Sequence, residues 1–446
     1  MKKRIYLSSL GCAKNQVDAE LMLGAALADG HQIVEAEDEA DVLVVNTCAF
    51  IEQARETSIE ETLRLAGIKA QAQGRRLIVT GCMAQRYAAE LKRSIPEIDA
   101  MVGTGALDRF GEALRSSGGR AFVGDKHYLP AADMDRVILD NDGSAYLKVS
   151  EGCDHECSFC VIPMIRGKHQ SRPLDDVIRE AERLTKSGVV ELNLVAQDLS
   201  AYGRDLGESE GLATLLYRLG RVPGLERVRC HYLYPNTLSD SALEAMRVVE
   251  NVCAYVDLPL QHADPLVLKR MRRGKDTDFL RRILDRVRSC FDDPVLRTTF
   301  IVGFPGETQA AFESLLSFVE EQRFDYVGVF GYSPERGSAA AVMDGQVDSE
   351  TVERRRDDLL AVQEEISLRR QARHVGRRVS VLVCARDEAG LWFGRTEGQA
   401  PEVDGVTYLG RVEGLERSRG RCVQARITGS DVYDLYAELD AGEARR

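Results

Sequence analysis

Through the first 110 residues, short apolar runs alternate with segments whose apolar positions recur at helical spacing. Arg4–Ser9, Asp41–Asn46 and Arg76–Thr80 read as strands. The Val-rich second one has the continuous apolar character of a strand buried on both faces. Asp18–Ala28, Ile51–Ala72 and Ala84–Arg93 read as helices. Such a βαβα series predicts a parallel sheet with helices on its faces.

The pattern lapses from Asp125 to Gly143, where Pro130, several aspartates and Asn141-Asp142-Gly143 predict a linker. A second α/β series follows. Its strands are expected at Ala145–Val149, Val190–Ala196, Arg227–Leu233, Ala254–Leu260, Arg297–Val302 and Tyr326–Tyr332, with helices such as Leu174–Lys186 and Asp276–Arg288 between them. Six βα units predict a barrel or partial barrel. Ser349–Arg373 reads as a charged helix that packs on it through Leu359, Leu360, Val362 and Ile366. After Gly376 the period shortens. Val379–Cys384, Leu391–Thr396, Gly405–Leu409 and Cys422–Thr428 read as short strands with glycine turns. They predict a small β-barrel of about 65 residues. The expected class is α/β multidomain. Residues 1–124 would form a parallel α/β domain, 125–143 a linker, 144–373 a partial (βα)6 barrel and 374–446 the small β-barrel.

Composition removes some classes. Of 446 residues, 44% are hydrophobic and 29% charged, which excludes a wholly disordered chain. No apolar run approaches the roughly 18 residues of a membrane helix. The net charge is −12, with 59 Lys and Arg against 71 Asp and Glu, so there is no general basic excess for nucleic acid. An acidic chain is instead complementary to a basic protein. Lys2, Lys3 and Arg4 precede only six residues of apolar character, Ile5–Leu10, short of the roughly 7–15 of a secretory signal. The 11 cysteines, an odd count in a long chain, point to the cytoplasm and to ligand or catalytic roles.

Six cysteines form two sets. Cys153, Cys157 and Cys160 lie within eight positions, in a loop after a strand. Three thiolates can hold three corners of a [4Fe–4S] cluster and leave the fourth iron open. Zinc is the alternative, with His155 recruited as fourth ligand. Cys12, Cys48 and Cys82 each follow an N-terminal strand, spaced 36 and 34 residues apart. Parallel strands point the same way, so the three thiols should gather at the carboxyl edge of the sheet. Convergence again suggests a cluster with an open iron; buried structural cysteines are the plain alternative.

With aromatic Phe159 before its last cysteine, the loop Glu151–Cys160 resembles that of radical S-adenosylmethionine (SAM) enzymes. That resemblance implies that the open iron chelates the methionine amino and carboxylate groups. It also implies that reductive cleavage yields a 5′-deoxyadenosyl radical. Phe300–Glu307 resembles a segment near the adenine in that superfamily, which makes Phe159, Gly303 and Gly306 candidate cofactor contacts. Equally, the glycines can simply permit a tight turn.

The two sets together resemble the methylthiotransferases through most of the chain. Ser9–Asn15, Val45–Phe50, Thr80–Met83 and Arg166–Pro173 carry the likeness. Val195–Gly203, His231–Pro235 and Asp257–His262 are similar to the branch that modifies an aspartate of protein twelve of the small ribosomal subunit. The tRNA-modifying branch has an asparagine-containing sequence in place of the first. Ala13 departs from a proline common in the former branch, while Cys12 is kept.

The resemblance implies an N-terminal cluster domain, a radical barrel and a C-terminal TRAM barrel. It implies two [4Fe–4S] clusters, SAM as methyl donor and radical source, and external sulfide or persulfide. It also implies a reductase or flavodoxin-type electron donor. Hydrogen would leave the β-carbon of the aspartate, a task for a cofactor radical rather than a side-chain base. Both clusters would then face one cavity.

Gln197 and Asp198 end a barrel strand, where barrel enzymes place functional groups. Gln197 is a candidate cofactor contact, and Asp198 and Arg166 are candidate catalytic residues. Ser171 suits a helix start, with Asp175 and Asp176 in the first turn. Arg172 is a candidate contact. His169, His231 and His262 read as structural, and Cys230, Cys253, Cys290, Cys384 and Cys422 as packing residues. Residues 377–446 hold 11 basic and 12 acidic side chains, which favours a basic protein over tRNA as substrate. Competing readings are a tRNA methylthiotransferase, an iron–sulfur electron carrier or redox sensor, and a zinc-stabilised RNA-binding module.

Overall fold

The computed structural model describes residues 2–124, 128–140 and 142–441; positions 125–127 and 141 of the expected linker lie outside the described residues. The N-terminal sheet has six parallel strands in the order Gln32–Ile33, Arg4–Ser9, Val42–Thr47, Arg76–Gly81, Ala100–Val102 and Arg120–Phe122. The three expected strands are its centre. The other three have two or three residues each, too few to show a period. Val42–Thr47 is buried throughout, as its apolar run Val42–Val45 leads one to expect.

The first helix starts earlier than its apolar period indicates. Ala13–Ala28 begins directly after Cys12, and its first turns bury Lys14, Asn15 and Asp18. Polar side chains are tolerated inside only when bonded, and these are bonded to the next domain.

A second sheet of six parallel strands runs Ser144–Lys148, Glu191–Val195, Arg227–Cys230, Val252–Asp257, Val295–Val302 and Tyr326–Gly331, each beside its sequence neighbour. The order is that of an open, partial barrel. Because side chains alternate along a strand, one face presents Leu192, Leu194, Val228 and Cys230 to the helices as the largest core. The other face is polar. There Arg229 reaches Glu191 at 3.4 Å, His231 meets Asn193 at 3.3 Å and Arg297 reaches Asp257 at 3.3 Å.

The C-terminal domain is a closed barrel of Arg378–Arg386, Trp392–Arg395, Thr407–Gly410, Leu435–Leu439 and Cys422–Ser430. Its fourth strand in that order, where buried Leu435 and Ala437 alternate with exposed Tyr436 and Glu438, is not among the strands expected from the sequence. This domain fills the amino-end of the polar face. Arg395 pairs with Glu191, Arg227 donates to the Arg395 carbonyl at 2.8 Å, and the Tyr255 hydroxyl donates to Asp404 at 2.7 Å. Helix Ser349–Ala372 leads into it, bonded through Gln363 to the Phe324 carbonyl at 2.9 Å.

The described part of the expected linker is a packed strap. Arg136 lies between Glu20 of the first helix and Glu180 of the barrel, at 2.6 and 2.8 Å. Among the described residues, no helix is long and apolar enough to cross a membrane.

Candidate active site

The three central N-terminal strands end level. Ser9 pairs with Asn46, Asn46 with Thr80, and Thr47 with Gly81. Cys12, Cys48 and Cys82 therefore leave the same edge of the sheet. Cys12 precedes helix Ala13–Ala28 and Cys82 opens helix Cys82–Ser94. Asn15 organises the edge. Its side-chain amide donates to the carbonyls of Leu10 (3.1 Å) and Thr47 (2.9 Å), and its Oδ1 stands 3.5 Å from Cys82 Sγ. Gly81 has φ +88°, and a Cβ there would lie 2.6 Å from both Asn46 Oδ1 and the Thr47 carbonyl. Only glycine fits this approach.

Exposure falls along the set: Cys12 is exposed, Cys48 partly buried and Cys82 buried. Burial pushes the Cys82 thiol up to about 12, and Cys48 upward as well. Thiols raised in this way ionise when a metal or cation compensates the lost hydration.

The second set sits on a tightly held loop. Gly152 has φ +77°, and a Cβ there would meet the Lys168 carbonyl at 2.0 Å. Cys153 N–H donates to the Gly167 carbonyl at 3.1 Å and Cys160 N–H to the Cys157 carbonyl at 3.0 Å. Ser158 is bonded through its hydroxyl to the Arg270 carbonyl at 2.8 Å. Two donors point at sulfur: Ile162 N–H at 3.4 Å from Cys160 Sγ, and Arg273 Nη1 at 3.6 Å from Cys157 Sγ. Burial pushes Cys153 up to about 11 and Cys160 up to about 12.

Among the described residues, no three His, Cys, Asp or Glu side chains converge closely enough to hold a single ion. A multi-iron cluster takes one thiolate on each iron and so accepts wider spacing. His155, the fourth ligand of the zinc alternative, has one ring nitrogen engaged. His155 Nε2 pairs with Asp198 Oδ2 at 2.7 Å, and its ring stacks on Tyr234 with centroids 3.7 Å apart.

Gln197 and Asp198 follow the strand Glu191–Val195, beside this loop. Thr237 Oγ1 donates to Asp198 Oδ2 at 3.3 Å, and Gln197 Nε2 donates to Glu151 Oε1 at 2.6 Å. Asp198 Oδ1 and Gln197 Oε1 are buried acceptors with no hydrogen-bond partner. Such atoms are rare because desolvation is costly. Two at one strand end, next to an anchored thiol loop, fit a ligand that carries a cationic donor, as SAM does.

Phe159 packs beside Phe304, Val267 and Met271. A Cβ at Gly303 would lie 2.2 Å from Val352, and one at Gly306 2.8 Å from Arg270. Both glycines thus serve close packing within the chain. Glu307 holds their turn by accepting Gly303 N–H at 2.8 Å, and is itself bound by Arg355 at 2.9 Å.

A buried charge network joins the two thiol sets. Lys148 pairs with Asp18 and, at 2.9 Å, with Glu151. Arg166 reaches Glu151 at 2.8 Å, Asp18 at 3.1 Å and Asn15 Oδ1 at 2.6 Å, and stands 3.6 Å from Cys82 Sγ. Lys14 donates to the Ala196 carbonyl at 3.1 Å and lies 3.7 Å over the Tyr232 ring. On the other flank, Glu335 takes Arg55 and Arg86.

Lys14, Asn15, Asp18, Lys148 and Glu151 are site residues that the sequence alone does not single out, and His155, expected there only as a zinc ligand, pairs with Asp198. For the charged ones the one signal is a charge inside an otherwise buried segment, as with Lys148 in Ser144–Lys148.

Two candidates take other roles. Ser171 does not start a helix. Pro173 precedes helix Leu174–Lys186, and Ser171 Oγ accepts Gly203 N–H at 2.9 Å. Arg172 is buried in structural pairs with Asp176, at 2.7 Å, and Glu180.

Three family descriptions match the chain: Uncharacterized protein family UPF0004 over residues 4–103, the Radical SAM superfamily over 147–319 and the TRAM domain over 375–439. Relatives named ribosomal protein uS12 methylthiotransferase RimO align along nearly the whole length. The one from Anaeromyxobacter sp. (strain K) is 44% identical, over 100% of this chain and 95% of the relative. Those from Prochlorococcus marinus (strain MIT 9303) and Clostridioides difficile (strain 630) are 45% and 40% identical, each over 98% of this chain and over 93% and 98% of the relative. In fold the chain is similar to the radical S-adenosylmethionine methyltransferase TsrM from Kitasatospora setae, solved with cobalamin and a [4Fe-4S] cluster bound. The TM-score is 0.54 at 14% identity, over 75% of this chain and 77% of that one.

Proposed function

The chain belongs to the RimO family of ribosomal protein uS12 methylthiotransferases, and from that premise we propose how its two thiol sets carry out the transfer. The enzyme is a radical SAM methylthiotransferase that acts on uS12, protein twelve of the small ribosomal subunit. The group we assign for modification is the β-carbon of one aspartate. In this reading residues 1–124 are the cluster domain, 144–373 the radical domain and 374–446 the TRAM domain.

The observation that carries the reading is the buried chain Glu151–Arg166–Asn15, which runs from the segment before Cys153 to Cys82 Sγ. Cys153, Cys157 and Cys160 would hold one [4Fe–4S] cluster, and Cys12, Cys48 and Cys82 a second. When bound, these groups supply electron-driven cleavage of SAM and an iron that carries external sulfide or persulfide. The chain's part is to bind, orient and exclude water. Gln197 Oε1 and Asp198 Oδ1 are the free acceptors for the SAM amino group. His155 and Thr237 hold the Asp198 carboxylate in position. Phe159 and the backbone at Gly303 and Gly306 would line the adenosine side. Buried Lys148 and Arg166 keep Glu151 ionised between the sets. A common cavity is needed because a carbon radical must meet the carried sulfur before it is lost.

The partners are the basic protein uS12, free or within the ribosomal subunit, and a reductase or flavodoxin-type electron donor in the cytoplasm. Anaerobically reconstituted enzyme, given SAM, sulfide and a reductant, should be offered uS12 and unmodified tRNA together. A methylthio mass gain on one uS12 aspartate is expected. A gain on tRNA alone would overturn the substrate, and no SAM cleavage would favour an electron carrier.

A further inference from the structure

Each thiol set has one arginine directed at one of its sulfurs, and the two arginines differ in origin. Arg273 lies on its own domain, partly exposed over the Tyr234 ring at 4.3 Å, with Nη1 3.6 Å from Cys157 Sγ. Arg166 belongs to helix Ile162–Arg166 of the barrel segment, yet its Nη2 stands 3.6 Å from Cys82 Sγ of the N-terminal domain. Its side chain is only 1% exposed. It has no freedom to leave the sulfur. Glu151 fixes Nη1 at 2.8 Å, and Asn15 and Asp18 fix Nη2 at 2.6 and 3.1 Å.

A cation and an N–H donor beside a cluster thiolate favour the more negative, reduced state, and a buried site screens them little. The charge also depends on domain docking. Were the N-terminal domain to lift from the barrel, Cys82 would leave Arg166 behind. Resting on the two-cluster reading above, we propose that Arg166 is a positioning residue. It sets the reduction potential of the Cys12, Cys48 and Cys82 cluster from across the domain boundary, and raises that potential only while the domains are seated.

The full chain with Cys153→Ala, Cys157→Ala and Cys160→Ala isolates the N-terminal cluster. Its midpoint potential is then read by an EPR-monitored redox titration with Arg166 unchanged, with Arg166→Lys and with Arg166→Met. The Met variant should shift the midpoint to more negative values and Lys should shift it less. In the complementary Cys12→Ala, Cys48→Ala, Cys82→Ala chain, Arg166→Met should leave the barrel cluster's midpoint nearly in place.

A second readout covers a Met variant that fails to fold. Arginine labelled with ¹⁵N in the first background should give a nitrogen coupling in the ENDOR spectrum of the reduced cluster, and Arg166→Lys should abolish it. A filled cluster with no nitrogen coupling, with one midpoint for Arg, Lys and Met, or with equal shifts at both clusters overturns this inference alone. Absence of iron from the first background overturns the two-cluster reading and the inference with it.

Discussion

Glu151 Oε1 accepts the Gln197 side-chain amide at 2.6 Å, which ties the segment two residues before Cys153 to the strand end that carries Asp198. The other oxygen, Oε2, is shared by Lys148 and Arg166 at 2.9 and 2.8 Å. One carboxylate therefore connects the end of strand Glu191–Val195, the thiol loop and, through Lys148 and Arg166, Asp18 and Asn15 of the N-terminal domain. Glu151→Gln would leave two buried cations with Asp18 as their remaining carboxylate. Breaking such a buried group costs about 3–5 kcal/mol. The thermal midpoint of the variant should fall clearly below that of the parent in a calorimetric scan, and its SAM affinity should weaken in parallel.

Asp198 offers an unpartnered buried oxygen where the SAM amino group is assigned. Hydrogen bonds to charged groups contribute about 1.5–3 kcal/mol, roughly 10–150-fold in affinity. Asp198→Asn should weaken SAM binding by that order in equilibrium titration and leave the cluster's visible absorption unchanged. An unaltered dissociation constant would remove Asp198 from the cofactor site.

At Gly81, a Cβ would collide with Asn46 Oδ1 and the Thr47 carbonyl, each 2.6 Å away, on a backbone at φ +88°. Strain of this kind costs on the order of 1–3 kcal/mol. Gly81→Ala should therefore lower iron loading at Cys12, Cys48 and Cys82, measured in the chain that lacks the barrel cysteines. In the Gly81→Ala chain that keeps Cys153, Cys157 and Cys160, SAM cleavage by the barrel cluster should persist.

Docking of the small barrel depends on Arg395, which pairs with buried Glu191 and, at 3.1 Å, with Asp142. Arg395→Met leaves Glu191 with Arg227 and Arg229 at 3.7 and 3.4 Å. We expect faster tryptic cleavage at the exposed Arg377 and Arg378, followed on a gel over time. Equal cleavage rates would show that other contacts suffice.

His374 lies where helix Ser349–Ala372 passes into the small barrel, and its pKa is lowered to about 4, first by burial and then by Arg373 and Arg377. The unfolded imidazole titrates near 6.5. Below about 6.5 the unfolded chain takes up a proton that the folded one refuses, so this group's contribution to stability is complete above that pH. It is lost progressively as pH falls toward 4. His374→Gln should flatten the pH dependence of the thermal midpoint between about 6.5 and 4.

The central strands, the six-unit barrel and both thiol sets were legible because each rests on a local regularity. Val42–Thr47 is apolar at every turn of the pleat save its last two residues, and Cys153, Cys157 and Cys160 fall within one loop. Cys12, Cys48 and Cys82 needed one further step, the common direction that parallel strands in a βαβ series must share. Short edge strands such as Gln32–Ile33 carry no period to read.

What the sequence by itself determined is thus the central elements of each domain and the two cysteine sets proposed to bind iron. Tertiary structure alone decided the partners of the buried charges. Lys148 and Asp18 are 130 positions apart, Arg166 and Cys82 are 84 apart, and Arg395 and Glu191 are 204 apart. A charge read in sequence has no address. It becomes a site residue only where folding removes water and leaves one opposite charge or one sulfur within reach, and docking of three domains sets that arrangement here.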